Sequence, residues 1–268
     1  MTLHAPSYAG GFASPERGLI DRSQWDGVTG AWCPSLGATG LTVRDHSGRG
    51  NHGTLTNMSP SSAWESPAGL TLDGTNDEIN LGRPLNTAAG TVFLWIRTTD
   101  TTVNTRLFSD TAGYFYVDLQ ASGSVRATLY DTGYKRVTVS ATNVTDGLWH
   151  LIVMRWDGAS MTIQVDSDAL GSVAAGAINS GVSGYDFVVG GTGSTLTHAA
   201  MDVDDIRIWH RAISAGEITR SYRLGPGGMY RRQLTHNVKA PAAGRINSLV
   251  GVGGGVIGQG GGMIGRGY

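Results

Sequence analysis

Two strand-like runs joined at Asp157-Gly158 constrain this chain more than any other feature. Trp149–Trp156 leads into the pair and Ser160–Val165 leads out. Asp-Gly tolerates positive φ at both central positions of a type I′ turn, so the segment reads as a β-hairpin. Ile152, Met154 and Trp156 alternate with Leu151, Val153 and Arg155, and both faces stay largely apolar until the end. Such a strand belongs in the middle of a two-sheet sandwich.

The same pattern recurs along the chain. Thr91–Arg97 is nearly continuously apolar or β-branched, and Tyr114–Leu119 and Ser124–Tyr130 flank Gln120–Gly123 as a second hairpin. From Ala31 to Leu224 short strand signals alternate with turn residues, the pattern of a sandwich or barrel. Ser214-Ala215-Gly216-Glu217 reads as a capping box opening one helix, about 215–223, which ends before Gly225-Pro226. The expected fold is all-β: an antiparallel two-sheet sandwich with one short C-terminal helix. Residues 1–25 read as an N-terminal arm, 26–224 as the sandwich and 225–268 as a C-terminal arm.

Charge separates the last segment from the rest. Residues 225–268 hold Arg231, Arg232, Lys239, Arg245 and Arg266 and no acid, leaving 15 basic and 21 acidic groups elsewhere. Ten of the nineteen residues of Val250–Tyr268 are glycine. Ordering such a chain costs much entropy, so the arm is expected to take shape against neighbouring subunits. Tyr230, Arg231, Arg232, Val256, Ile257, Met263, Ile264 and Tyr268 are the expected docking residues. Five charges over 44 residues make a poor case for specific nucleic-acid binding. Cys33 is the only cysteine, so no intrachain disulfide is available, and a buried filler is its expected role. The N-terminus shows no basic region followed by an apolar run, and no apolar stretch reaches 18 residues; neither a signal peptide nor a membrane span is expected.

Asp45-His46-Ser47-Gly48-Arg49-Gly50-Asn51-His52-Gly53 packs Asp, Ser-Gly and Asn-x-Gly into nine residues. Such loops fold onto their own amides, and they also offer the oxygens that a hard cation such as calcium takes. Downstream come Leu72-Asp73-Gly74-Thr75-Asn76-Asp77, then Gly147-Leu148-Trp149-His150, then Val203-Asp204-Asp205-Ile206-Arg207-Ile208-Trp209 before the helix. In this order, over about residues 30–224, these motifs resemble the laminin-G-like jelly rolls of the concanavalin A-like lectin/glucanase superfamily. The resemblance implies a jelly-roll sandwich and a structural Ca2+ site built from Asp45, Asn51, Asp73 and Asp204. Trp25-Asp26-Gly27-Val28-Thr29-Gly30-Ala31-Trp32-Cys33 is also similar to the start of such domains in tailed-phage structural proteins.

Catalytic patterns are sparse. Glycoside hydrolysis needs two facing carboxyl groups, yet only Glu16, Glu65, Glu78 and Glu217 occur, with no E-x-D-x-x-E. Asp202 and Asp204 have the i, i+2 spacing that points both to one strand face, and Asp204 also matches the family motif. No G-x-S-x-G elbow is present, and the G-x-G-x-x-G match at 253–258 lacks a strand before it and a helix after it. Trp64, Tyr114, Tyr116, Tyr130, Tyr134 and Tyr185 are candidates for stacking on sugars, and serve equally as core or cross-strand pairs.

The expectation is a non-catalytic structural or adhesion protein of a large assembly: a phage virion component, in the capsid or in a tail or fibre. Its sandwich would face outward and its arms would grip other subunits. Cell-surface glycans are the expected outside partner. The alternatives are a free extracellular module that binds carbohydrate through calcium, and a glycoside hydrolase.

Overall fold

The structure, a computed structural model, describes residues 22–65, 69–85, 88–140, 142–167, 169–178, 184–191 and 198–228. The chain divides after Met229, and all described residues belong to the first unit. The expected docking residues Tyr230, Arg231, Arg232, Val256, Ile257, Met263, Ile264 and Tyr268 lie outside the described residues.

Among the described residues sixteen strands follow in chain order. They are β1 Val28–Trp32, β2 Thr42–Val43, β3 Gly53–Thr56, β4 Trp64–Glu65, β5 Gly69–Asp73, β6 Glu78–Asn80, β7 Gly90–Arg97 and β8 Arg106–Asp110. Then come β9 Phe115–Leu119, β10 Val125–Tyr130, β11 Tyr134–Val139, β12 Trp149–Trp156, β13 Ser160–Val165, β14 Ala169–Ala174, β15 Phe187–Val189 and β16 Ala200–Trp209. One short helix, α1 (Pro60–Ala63), precedes β4, and α2 (Ala215–Leu224) follows β16.

Two antiparallel sheets result. The first runs β14-β13-β12-β7-β16-β5-β4, with β1 added along β16; the second runs β11-β10-β9-β8-β15-β6-β3-β2. Alternation decides what lies between them. Val92, Leu94 and Ile96 of β7 and Ile152, Met154 and Trp156 of β12 point inward, to meet Phe115, Val117 and Leu119 of β9 and Val125, Ala127 and Leu129 of β10. Phe115 meets Trp156 edge-on, ring centroids 4.9 Å apart, which ties one sheet to the other. The expected sandwich and its central β12 strand are therefore as read from the sequence.

The β12–β13 connection differs in one detail. Gly158 has φ 83° while Asp157 stays out of the positive region, so the turn is not type I′. The Asp157 carboxylate instead accepts hydrogen bonds from the amides of Ala159 (3.0 Å) and Ser160 (2.8 Å), holding a three-residue connection. A side chain does here what a second left-handed residue does in the shorter turn.

Helix α2 opens as expected. Ser214 accepts from the Glu217 amide, and the Glu217 carboxylate takes the Ser214 amide at 2.7 Å. The helix packs on the outer face of the first sheet, where Tyr222 stacks on Trp95 at 5.7 Å and an interplanar angle of 10°. Beneath it β16 bulges between Asp204 and Arg207, with Asp205 at φ 47°. Buried Arg207 forks onto Asp205 at 2.6 and 2.7 Å and lies 4.3 Å from the centre of the Phe93 ring.

Candidate functional site

With inward positions committed to the core, the outward positions of β8–β11 form the chemically richest surface among the described residues. The registers align Ser109, Tyr116, Thr128 and Arg136 across four strands. Beside that row lie Arg106, Asp118, Arg126 and Thr138. At the other end Tyr130 faces Tyr134, and its amide donates to the Tyr114 carbonyl at 2.8 Å.

Aromatic rings dominate this last end. Tyr130 lies 5.0 Å from Tyr134 and 5.1 Å from Tyr114, which in turn lies 6.2 Å from Tyr185. Tyr134 is 46% exposed and Tyr185 is 41% exposed. The turn between β10 and β11 sets the Tyr130–Tyr134 pair. Asp131 accepts from the amides of Gly133 at 3.1 Å and Gly176 at 2.8 Å, and the Gly176 bond leads the causes that bring its pKa down to about 2. The carboxylate is thus ionised at any ordinary pH and fastens this hairpin to the segment after β14.

Guanidinium groups line the other two rows. Asp118 is fully buried and takes Arg106 at 2.9 Å and Arg126 at 2.6 and 3.1 Å. The Arg106 guanidinium also lies 3.2 Å from the centre of the Tyr116 ring. Burial alone would raise the Tyr116 pKa. Thr128 and the guanidinium groups of Arg106 and Arg136 outweigh it, and the phenol ends below its ordinary value. Arg136 is exposed and sits 5.1 Å from the Tyr134 ring centre. Rings that present an apolar face beside planar polar donors are equipped to stack on a sugar and hydrogen-bond its hydroxyls.

Of the six aromatic candidates, the structure gathers Tyr114, Tyr130, Tyr134 and Tyr185 at one end of the face and places Tyr116 in the neighbouring row. Trp64 lies on the first sheet, where its indole donates to the Gly40 carbonyl at 2.7 Å. No motif marks Arg106, Asp118, Arg126 or Arg136. The signal that would find three of them is period two: Asp118 in 115–119, Arg126 in 125–130 and Arg136 in 134–139 share the phase opposite to the apolar residues, while a register shift beside Arg106 hides the fourth.

The residues expected to hold calcium are otherwise engaged. One oxygen of Asp45 accepts from the amides of Ala31 (3.0 Å) and Ser47 (2.8 Å); the other accepts from the Ser47 hydroxyl (2.8 Å) and the Asn51 amide (2.9 Å). The Asn51 side chain donates to the Thr29 carbonyl, and the Asn51 backbone carbonyl accepts from the Trp32 indole. Asp73 closes its turn through the Thr75 amide, and buried Asp204 accepts from the Ser35 amide at 3.1 Å and the Cys33 thiol at 3.6 Å. Among the described residues no group of three or more His, Cys, Asp or Glu side chains is placed to hold a metal ion. This donor set does not fit calcium, whose six to eight oxygen ligands must be turned toward the ion. Cys33 is buried as expected, and is a thiol donor as well as a filler.

The pattern of the concanavalin A-like lectin/glucanases superfamily matches residues 73–219. The chain belongs to that superfamily. No curated protein matches it. Among solved structures it is similar to the binding domain of Paraclostridial Mosquitocidal Protein 1, at 12% identity and TM-score 0.52, over 75% of this chain and 53% of that one. The botulinum neurotoxin serotype D binding domain is similar at 13% identity and TM-score 0.55, over 74% and 52%. Trypanosoma rangeli sialidase in complex with sialic acid is similar at 12% identity and TM-score 0.58, over 74% and 33%. The chain spans about half the length of the two toxin domains and a third of the sialidase. At such identities the likeness is one of fold: a lectin-like jelly roll of this superfamily.

Proposed function

We propose that this chain is a non-catalytic carbohydrate-binding module, and that it binds through the outward face of β8–β11. The observation that carries the reading is the tyrosine group, two of whose four rings are exposed, one of them, Tyr134, beside Arg136. Carboxylate placement supports a role without catalysis. On this sheet the outward acids Glu78 and Asp118 stand three strand spacings apart, about 14 Å, beyond the roughly 9.5 Å that an acid–base pair spans. On the other sheet Asp202 is held by Arg97 and Thr71, and Asp204 by Ser35.

The test is calorimetric titration of the full chain with a panel of oligosaccharides. Tyr134→Ala is expected to weaken binding about ten-fold or more, through the loss of one stacking ring, with no change in melting temperature. A panel that fails to bind, or a Tyr134→Ala protein that binds as well as the parent, removes the proposal. Because the loop acids are already engaged, chelator is expected to leave the binding isotherm unchanged.

The composition of 225–268 favours a second, compatible role. An acid-free arm carrying five basic groups, with a glycine-rich end, is suited to docking on other subunits of an assembly such as a phage virion. Deleting Val250–Tyr268 is then expected to abolish oligomer or particle incorporation while the melting transition of the sandwich persists. Full incorporation of the truncated chain contradicts this role.

A further inference from the structure

Resting on the carbohydrate reading above, we infer that the saccharide is acidic and that its carboxylate is received by Arg136. Across β8–β11 the outward positions bring Arg106, Arg126 and Arg136 against a single carboxylate, Asp118. That carboxylate is taken up by Arg106 and Arg126 together. The nearby acids are accounted for: Asp110 turns onto the amides of Ala112 and Phe115, and Asp131 serves its own turn, Gly176 and Lys135. Arg136 has no carboxylate within ion-pair distance among the described residues, and it is exposed at the rim of the tyrosine group.

One further polar atom points the same way. Arg106 Nε is buried without a hydrogen-bond partner. A buried polar group left without a partner is costly, and a water, ion or ligand group that bonds it relieves that cost. A planar guanidinium presents two parallel donors that match the two oxygens of a carboxylate. A sugar stacked on Tyr134 carries its ring substituents toward Arg136.

The experiment titrates the full chain with an oligogalacturonate, a hyaluronan oligosaccharide and sialyllactose, each beside its carboxyl-reduced, neutral counterpart. At least one acid form is expected to bind about ten-fold more tightly than its reduced partner, the size of one charge-assisted contact. The preference should shrink as salt is raised. Arg136→Gln is expected to bring the two forms level, and Arg136→Lys to restore part of the difference. Equal affinity for acid and reduced forms overturns the inference, as does a preference that survives Arg136→Gln. So does single-stranded DNA competing as well as the acid sugar, since charge alone would then be recognised. Neutral binding that is sensitive to Tyr134→Ala but shows no acid preference overturns this inference alone. A chain that binds no saccharide in either form overturns the carbohydrate reading with it.

Discussion

At Asp45 one buried carboxylate organises a loop by accepting four hydrogen bonds from Ala31, Ser47 and Asn51. Asp45→Ala leaves three amides, two of them buried, short of an acceptor, and unfolding in urea is expected to show a loss of about 3 kcal/mol. Asp45→Asn, which keeps one acceptor oxygen, should lose less. Adding chelator to the parent protein should not move its melting temperature; a drop comparable to that of Asp45→Ala would restore the calcium reading. The sequence made this loop visible through Asp45, Ser47-Gly48 and Asn51, but not its job. A carboxylate that bonds amides and one that binds calcium use the same oxygens, and spacing cannot separate them. Direction can, and it appears only once Ala31, fourteen residues away in sequence, is seen to supply one of the donors.

Among the elements, α2 and the strand beneath it show what pattern reading captures and what it misses. The capping box was legible because its partners lie three residues apart; Ser214→Ala is expected to cost about 1 kcal/mol in denaturant midpoint measurements. Arg207 was not legible in this way. Strict alternation would send Asp204 and Asp205 to opposite faces, but the bulge turns both outward and lets Ile206 and Ile208 return to the core. Asp205 then meets Arg207, whose guanidinium also approaches the Ser221 hydroxyl at 3.5 Å. Arg207→Met leaves a buried carboxylate without its counter-charge, and is expected to cost about 3–5 kcal/mol, several times the loss at Ser214. Similar losses for the two variants would mean that Asp205 finds another partner. The binding face was half legible for a related reason: Tyr114, Tyr130 and Tyr134 stood out as aromatic, whereas Arg106 and Arg126 gain meaning only through the register that sets Asp118 between them.

For the molecule as a whole, solution pH is expected to act through His150. This buried imidazole bridges Asp166 at 2.8 Å and Asp146 at 3.0 Å, joining the loop before β12 to the residue after β13. The Asp166 hydrogen bond is the largest influence and raises its pKa, burial opposes, and Asp146 adds to the rise. The folded chain therefore holds the proton more tightly than the unfolded one. The stabilisation is complete below the ordinary histidine value of about 6.5 and fades as pH climbs through the raised one. Between pH 6 and pH 9 the urea midpoint of the parent should fall more than that of His150→Gln; parallel curves would exclude this role. A different consequence follows from the two-residue rhythm of β10 and β11. Val125, Ala127 and Leu129 secure cohesion, while the side chains between them meet the outside world. Selection for a new sugar can thus act on one set of letters while the other keeps spelling the same sandwich.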